Sequence, residues 1–476
     1  MAELEQLASR SIPAMRRFAA CRHSARVLGF AEVNSAWRDV LQDSHLRTVS
    51  QWRALSDVEV GRHLAGVAAL RPWWQVVEKA CPLVASPVAE RIVCEVRAHL
   101  ARLLATNPSV LPADSAPDLL GLARALSAQA RWSEHAYMVS EEEFKWAQRL
   151  PGISAMEWSD TADALLPAFP LPGRGVPHDK EVVSSEGRDA VQRFYESHVF
   201  PQWDHLTPWS SNLGALAEPV RSTGLAGRSV LVAGCGTGRW ACHFAATFPK
   251  ASVLAVDVSH ASLDFARERC ERFNLTNIRF EHADLRTWSP VETFDLVECG
   301  GVLHHLEDPE AAWSRLLAAL SPSGTMLVSL YSRTARRLLK RLRGEILQSS
   351  FPGRPPPECR AMDDDEVRRF RLELLRRTWA TELLALAQSP DMHSIARLRD
   401  TFFHPLEHEY ILPEVQSMLE RLGLKFSGMD ADPALQELFR GACPGRDPCD
   451  LSAWHELEQR MPELFIGMYE LFVTRK

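Results

Sequence analysis

From residue 228 the chain alternates short β-rich runs with helical runs, and this constrains its fold more than any other feature. RSVLVAG leads into one helical stretch and ASVLAVDV into another; IRFEHAD, FDLVECG, a helix over 309–320 and TMLVSLYS follow. Such alternation builds a parallel sheet, because each parallel crossover needs a helix to return the chain. The expected class is α/β, a doubly wound, mostly parallel sheet of seven strands. After Ser332 the pattern breaks for about 90 residues, 333–422. This stretch reads as a helical insertion ending in a helix, LPEVQSMLERLG, that flanks the sheet. LKFSGMD (424–430) and MYELFVTRK then supply two further strands. Insertions of this size in open sheets lie near the strand C-terminal ends, where ligands bind. The insertion is therefore a candidate substrate region; a surface elaboration is the alternative.

Residues 1–150 read as a helical N-terminal domain. VAERIVCEVRAHLARLLA (88–105) repeats apolar residues at helical spacing. A proline-rich break, TNPSVLPADSAPD, precedes one or two more helices over 119–150. Ser140 with Glu143 three residues on has the form of a capping box. Residues 151–185, rich in Pro and Gly, read as a linker or arm, and the remainder, 186–476, as a second domain. The formal charge of −7 over 476 residues lacks the basic footprint of a nucleic-acid binder. No run approaches the ~20 apolar residues that span a bilayer, and no secretory leader is evident. Ten cysteines without a C-x-x-C pair suit neither a disulfide scaffold nor a zinc site. These readings lead to a cytoplasmic protein, with no nucleic acid, membrane or metal expected.

VLVAGCGTGRW (230–240) is a buried strand entering a glycine turn and then a helix. Gly234, Gly236 and Gly238 allow close backbone approach to a ligand, and the helix points free N–H groups at it. The dinucleotide fingerprint wants Gly or Ala at 239, where this chain has Arg239. The P-loop pattern fails as well, since no Gly-Lys-Ser/Thr follows. Asp257 ends the second strand 19 residues after Gly238, and Asp284 ends the third. A carboxylate at the first place can accept from two ribose hydroxyls, and one at the second from an adenine amino group.

GCGTG, Asp257, Asp284 and FDLVECGGVLHHL together resemble the motif series of class I S-adenosylmethionine-dependent methyltransferases. The likeness is strong over 225–332 and extends by element order toward 476. It implies a Rossmann-like methyltransferase fold with S-adenosyl-L-methionine as cofactor. It also implies a cofactor site of Gly234, Cys235, Gly236, Gly238, Asp257, Val258, Asp284, Leu285 and Cys299. One departure stands out: the family commonly has an acid two residues before the first glycine, where this chain has Val232. DAVQRFYESHVFPQWDHLTP (189–208), YSRTARRLL (331–339), DTFFHPLEHEYILPEV (400–415) and QARWSEHAYMVSEEE (129–143) are similar to segments of a narrower group. Its members are bacterial methyltransferases with a helical, often tetratricopeptide-containing, N-terminal region, and in them Val232 is not unusual.

In such a sheet the fourth strand runs beside the first, so VECGG brings its end to the sulfonium region. His304 and His305 follow, where an acceptor must sit. An O–H or N–H acceptor needs a base, and histidine titrates in the useful range. Either histidine is a candidate catalytic base, His305 first; packing beneath the loop is the alternative. Tyr195, Arg333, His404 and His408 are candidate substrate contacts. Tyr195 belongs to an aromatic arm that either closes over the site or docks the linker. Arg333 opens a basic run, RTARRLLKRLR, suited to an acidic group or simply solvated. His404 and His408 lie four apart without the H-E-x-x-H order of a zinc site. The expected activity is methyl transfer to an O or N atom of a small-molecule or natural-product acceptor. A peptide or protein side chain, and cofactor sensing without catalysis, are the alternatives. The helical region has three candidate roles: covering the site, holding a partner, or forming a homodimer.

Overall fold

A computed structural model describes residues 52, 54–70, 74, 87–133, 136–137, 139–152, 158–169, 190–197, 199–203, 206, 228–352, 362–378, 386, 389–430 and 433–476. Most of the expected linker, 151–185, lies outside them. The described residues from 190 to 352 and from 402 to 476 form one compact unit, and those from 52 to 169 and 362 to 401 another. The stretch expected as a single insertion, 333–422, is thus divided: 362–401 groups with the N-terminal helices, 402–422 with the sheet.

The second unit is helical in its described residues. Pro87–Thr106, Ala116–Trp132 and Glu141–Arg149 realise the periodic runs of the sequence. The Ser140 hydroxyl accepts from the Glu143 N–H at 3.2 Å, and the Glu143 carboxylate accepts from the Ser140 N–H at 2.9 Å. Buried ion pairs, Arg97 with Glu143 and Arg371 with Glu90, lie inside this unit.

The first unit is built on seven strands: β1 (Ser229–Ala233), β2 (Ser252–Asp257), β3 (Ile278–His282), β4 (Phe294–Gly300), β5 (Leu320–Leu330), β6 (Leu424–Met429) and β7 (Tyr469–Arg475). They pair in the order β3-β2-β1-β4-β5-β7-β6. All pairs are parallel except those of β7, which runs antiparallel to β5 and β6. Strand order reverses between β1 and β4, and the crevice above that point is where open α/β sheets bind ligands.

Eight helices are described in this unit: α1 (Ala190–Ser197), α2 (Arg239–Thr247), α3 (His260–Arg272), α4 (Pro309–Ala318), α5 (Arg333–Ser350), α6 (Leu412–Arg421), α7 (Pro433–Ala442) and α8 (Leu451–Arg460). Strand alternation sorts the core. Leu231, Ala233, Leu254, Val256, Val297 and Cys299 face one layer, which includes Trp313 of α4, Leu419 of α6, Phe439 of α7 and Trp454 of α8. Val230, Val232, Val253, Ala255 and Leu296 face the other, which includes Phe244 of α2 and Leu263 of α3. Both faces of β1 are covered, which is why its sequence is apolar throughout.

Candidate functional site

The turn after β1 holds three glycines at positive φ: Gly234 at 74°, Gly236 at 51° and Gly238 at 71°. Only glycine adopts these values without strain. At Gly234 space is also short, since a Cβ would stand 2.4 Å from Val302 Cγ2. The turn is tied to β2 through the Val256 carbonyl, which accepts from the N–H groups of Gly234 at 2.8 Å and Cys235 at 2.9 Å. Asp257, at the tip of β2, accepts the Gly236 N–H on Oδ2 at 2.7 Å and the Ser259 N–H on Oδ1 at 2.9 Å. Burial raises its carboxyl pKa, against those two backbone bonds. Each carboxylate oxygen has given one lone pair to the backbone and keeps another. Two acceptors side by side at a strand tip suit a vicinal diol.

The segment ahead of β1 lies against this turn. Thr237 donates its hydroxyl to the Pro201 carbonyl at 2.7 Å, and the buried Trp203 indole donates to the Thr237 carbonyl at 3.0 Å. From α1, the Glu196 carboxylate accepts the N–H groups of His260 and Ala261 at 2.9 and 3.1 Å. It therefore caps the first turn of α3. The Val258 carbonyl accepts from Gln192 Nε2 at 3.2 Å and from His282 Nε2 at 3.0 Å.

Asp284 follows β3, but its carboxylate faces Arg286, at 3.0 Å from Nε to each oxygen and 2.7 Å from Nη2 to Oδ2. Burial pushes this carboxyl up and the Arg286 bonds outweigh it, so its pKa lies below the ordinary aspartate range. An adenine amino group at Asp284 shares the carboxylate with that guanidinium. Leu285 and Cys299 are buried in the core layer, so the Cys299 thiol faces packing rather than the turn.

The two histidines occupy different environments. They sit on a single 3-10 turn, Leu303–His305. His304 is fully buried, donates from Nδ1 to the Ser329 carbonyl at 3.3 Å, and lies 3.9 Å from the Tyr331 ring centroid. Its Nε2 is buried with no hydrogen-bond partner among the described residues, a packing environment. His305 donates from Nδ1 to the Leu406 carbonyl at 2.8 Å. A carbonyl only accepts, so Nδ1 carries the proton and Nε2 is the lone-pair nitrogen of the neutral ring. Burial pushes the His305 pKa down to about 3, with the Arg336 and His408 charges acting in the same sense and the Leu406 bond against it. His304 is also held well below the ordinary value, first by burial and then by the charges of His305, Arg336 and His404.

His404 stacks on His305 with ring centroids 3.6 Å apart, and Tyr195 lies 5.7 Å from His404. The structure thus gathers Tyr195, His305, His404 and Tyr331 around one turn. Tyr331 went unnoticed in the sequence, although it is an aromatic residue at the C-terminal end of β5. The His408 N–H donates to the His304 carbonyl at 2.8 Å. Arg333 is committed elsewhere: its guanidinium donates to Glu414 and to the Glu409 carbonyl, each at 2.8 Å. Arg336 pairs with Glu407, and Lys340 with Glu409 at 2.8 Å. The acids of LEHEY thus pair with two cations of the basic run, Arg336 and Lys340.

A family model described as a methyltransferase domain matches residues 230–324, from β1 into β5. An uncharacterized protein of Synechococcus sp. is 27% identical over 311 residues, 60% of this chain and 71% of that protein. A trans-aconitate 2-methyltransferase of Methylobacterium radiotolerans is 37% identical over 97 residues, 20% of this chain and 35% of that protein. An uncharacterized methyltransferase of Mycobacterium bovis is 33% identical over 165 residues, 32% of this chain and 81% of that protein. The chain belongs to the class I S-adenosylmethionine-dependent methyltransferases. The cofactor of this methyltransferase is S-adenosylmethionine, and the residues present fit it. Side chains are missing where the backbone must approach a ligand, and a paired acceptor stands at the tip of β2. Among the described residues no helix is long and apolar enough to cross a membrane.

The buried histidines have a consequence for folding. Unfolded histidine titrates near ~6.5. Both folded values are lower, so the unfolded chain binds more protons below pH ~6.5 and stability falls with pH there. The loss is about 1.4 kcal/mol per pH unit for each histidine below pH ~6 and is absent above ~7. Urea midpoints from pH 7.5 to 5 measure it, and His304→Phe is expected to halve the slope.

Proposed function

We propose that this methyltransferase methylates an oxygen or nitrogen atom of a small-molecule acceptor, with His305 as general base. The observation that carries the proposal is the His305 tautomer: Nδ1–H is fixed on the Leu406 carbonyl, which leaves Nε2 as acceptor at the end of β4. The backbone of 234–238 and Asp257 hold the nucleoside, Asp257 by the two ribose hydroxyls, and Asp284 takes the adenine amino group alongside Arg286. When bound, the cofactor supplies an electrophilic methyl group on a sulfonium, so the protein's main task is placement. His305 Nε2 accepts the proton that an O–H or N–H acceptor must lose. Its ring is neutral throughout the physiological range and needs no prior deprotonation. Tyr195 and His404, beside it, orient the acceptor.

Two features support a small molecule over a protein side chain. No double-glutamate loop and no N/D-P-P-Y/F pattern follows β4. A trans-aconitate 2-methyltransferase, named for a small-molecule acceptor, is also 37% identical to this chain over 97 residues. Transfer of labelled methyl into extract fractions tests the reading. Label in small molecules is expected; label in protein points to a side-chain acceptor, and binding without transfer in any fraction points to a sensor. With the acceptor in hand, His305→Gln is expected to lower kcat by roughly 10²-fold, the low end for a general base because a pKa of about 3 makes Nε2 a weak one, with cofactor affinity little changed. The wild-type rate is expected to show no ionisation near pH 6.5, because the His305 pKa lies far below it. A rate limb near 6.5 that disappears in His305→Gln contradicts the environment described above.

A further inference from the structure

The positions in register with Glu298 are apolar across the sheet. The row runs Phe280, Ala255, Val232, Glu298, Leu327 and Phe472, from β3 to β7. Every other member belongs to one apolar layer or packs against it. Glu298 is only 3% exposed. Burying a carboxylate costs several kcal/mol unless charge or hydrogen bonds compensate.

Three observations locate the carboxylate. A Cβ on Gly300 would stand 2.5 Å from Glu298 Oε1, so the side chain runs toward the C-terminal end of β4 into space that Gly300 leaves open. The Cys235 thiol in the glycine turn is pushed up by burial and then by Asp257, Cys242 and Glu298, which places the carboxylate within electrostatic reach of that turn. Ser329 is in register with Gly300, and its Oγ is 3.3 Å from the same Cβ point. That hydroxyl is buried, in a residue 1% exposed, and has no hydrogen-bond partner among the described residues. A carboxylate and an unsatisfied hydroxyl at one glycine-lined gap form an acceptor set for an ammonium.

We propose that Glu298, with Ser329, binds the α-ammonium of the cofactor's methionyl part. Val232 and Glu298 are register partners on β1 and β4, and neighbouring strands lie ~4.8 Å apart. A glutamate from β4 therefore serves the same region as an acid on β1. The inference rests on the reading that residues 234–238 and Asp257 hold the nucleoside.

Calorimetry on the full chain tests it with two ligands, S-adenosylhomocysteine and its analogue lacking the α-amino group. Wild type is expected to bind the analogue about 10- to 100-fold more weakly. Glu298→Gln is expected to bind S-adenosylhomocysteine as weakly as wild type binds the analogue, with analogue affinity unchanged. Ser329→Ala reduces the discrimination several-fold. Wild type binding both ligands equally overturns the proposal, as does Glu298→Gln keeping the discrimination or weakening both ligands alike. If Glu298→Gln fails to fold, Glu298→Asp decides: discrimination falls several-fold if the seat is here, and its staying at the wild-type value overturns the proposal. Failure of wild type to bind either ligand removes the nucleoside reading itself, and this inference with it.

Discussion

Asp257→Ala is expected to lower the affinity for S-adenosylhomocysteine by roughly 100-fold or more. A carboxylate accepting from two hydroxyls makes two charge-assisted hydrogen bonds, each contributing about 1.5–3 kcal/mol. The substitution also takes the acceptors from the Gly236 and Ser259 N–H groups. Each donor left unsatisfied in a buried place costs about 1–3 kcal/mol. Part of that is offset, because burial already disfavours the charged form of Asp257. The variant therefore loses both stability and binding. Asp257→Asn separates the two effects, since it keeps an acceptor oxygen but no charge, and its affinity is expected to fall between wild type and alanine. Calorimetry with thermal melts measures both quantities. An alanine variant that binds within about threefold of wild type places the ribose elsewhere.

Gly234→Ala is expected to destabilise the sheet unit by about 2–5 kcal/mol. Two costs combine. A side chain at φ 74° adds about 1–2 kcal/mol, and forcing a methyl against Val302 adds about 1–3 more. The Cβ would lie 2.4 and 2.8 Å from the two Val302 methyls. Gly234→Ala with Val302→Ala opens the space and leaves the backbone strain, so the double variant recovers the steric share only. Denaturant midpoints of both separate the contributions. Full recovery in the double variant shows that the backbone at 234 relaxes to an ordinary conformation.

β1 and β2 were the most readable strands, because each is a short apolar run closed by a glycine or an acid. β5 begins earlier than TMLVSLYS suggests, at Leu320, since SPSG carries no strand pattern of its own. The glycine turn and Asp257 were readable because they lie close in sequence and their bonds stay local. Other features depend on contacts across long stretches of chain. The Leu406 carbonyl that sets the His305 tautomer lies 101 residues away. Arg333 and Arg336 meet acids 81 and 71 residues later, so a basic helix that reads as open is largely paired. The hold of Arg286 on Asp284 spans two residues, so DLR carries its signal in the sequence. Glu298 carried a signal as well, as a charged residue between the apolar Val297 and Cys299 in β4. The division of 333–422 between two units was not readable, because helical periodicity shows which face is apolar but not what it packs against.

The central claim is that one nucleoside lies on the backbone of 234–238 with its ribose on Asp257. An experimental structure of the full chain with S-adenosylhomocysteine tests this most directly. Both ribose hydroxyls within hydrogen-bonding distance of the Asp257 carboxylate, with the adenine beside Asp284 and Leu285, is the expected result. A nucleoside bound away from the turn, with Asp257 still bonded only to Gly236 and Ser259, contradicts the claim.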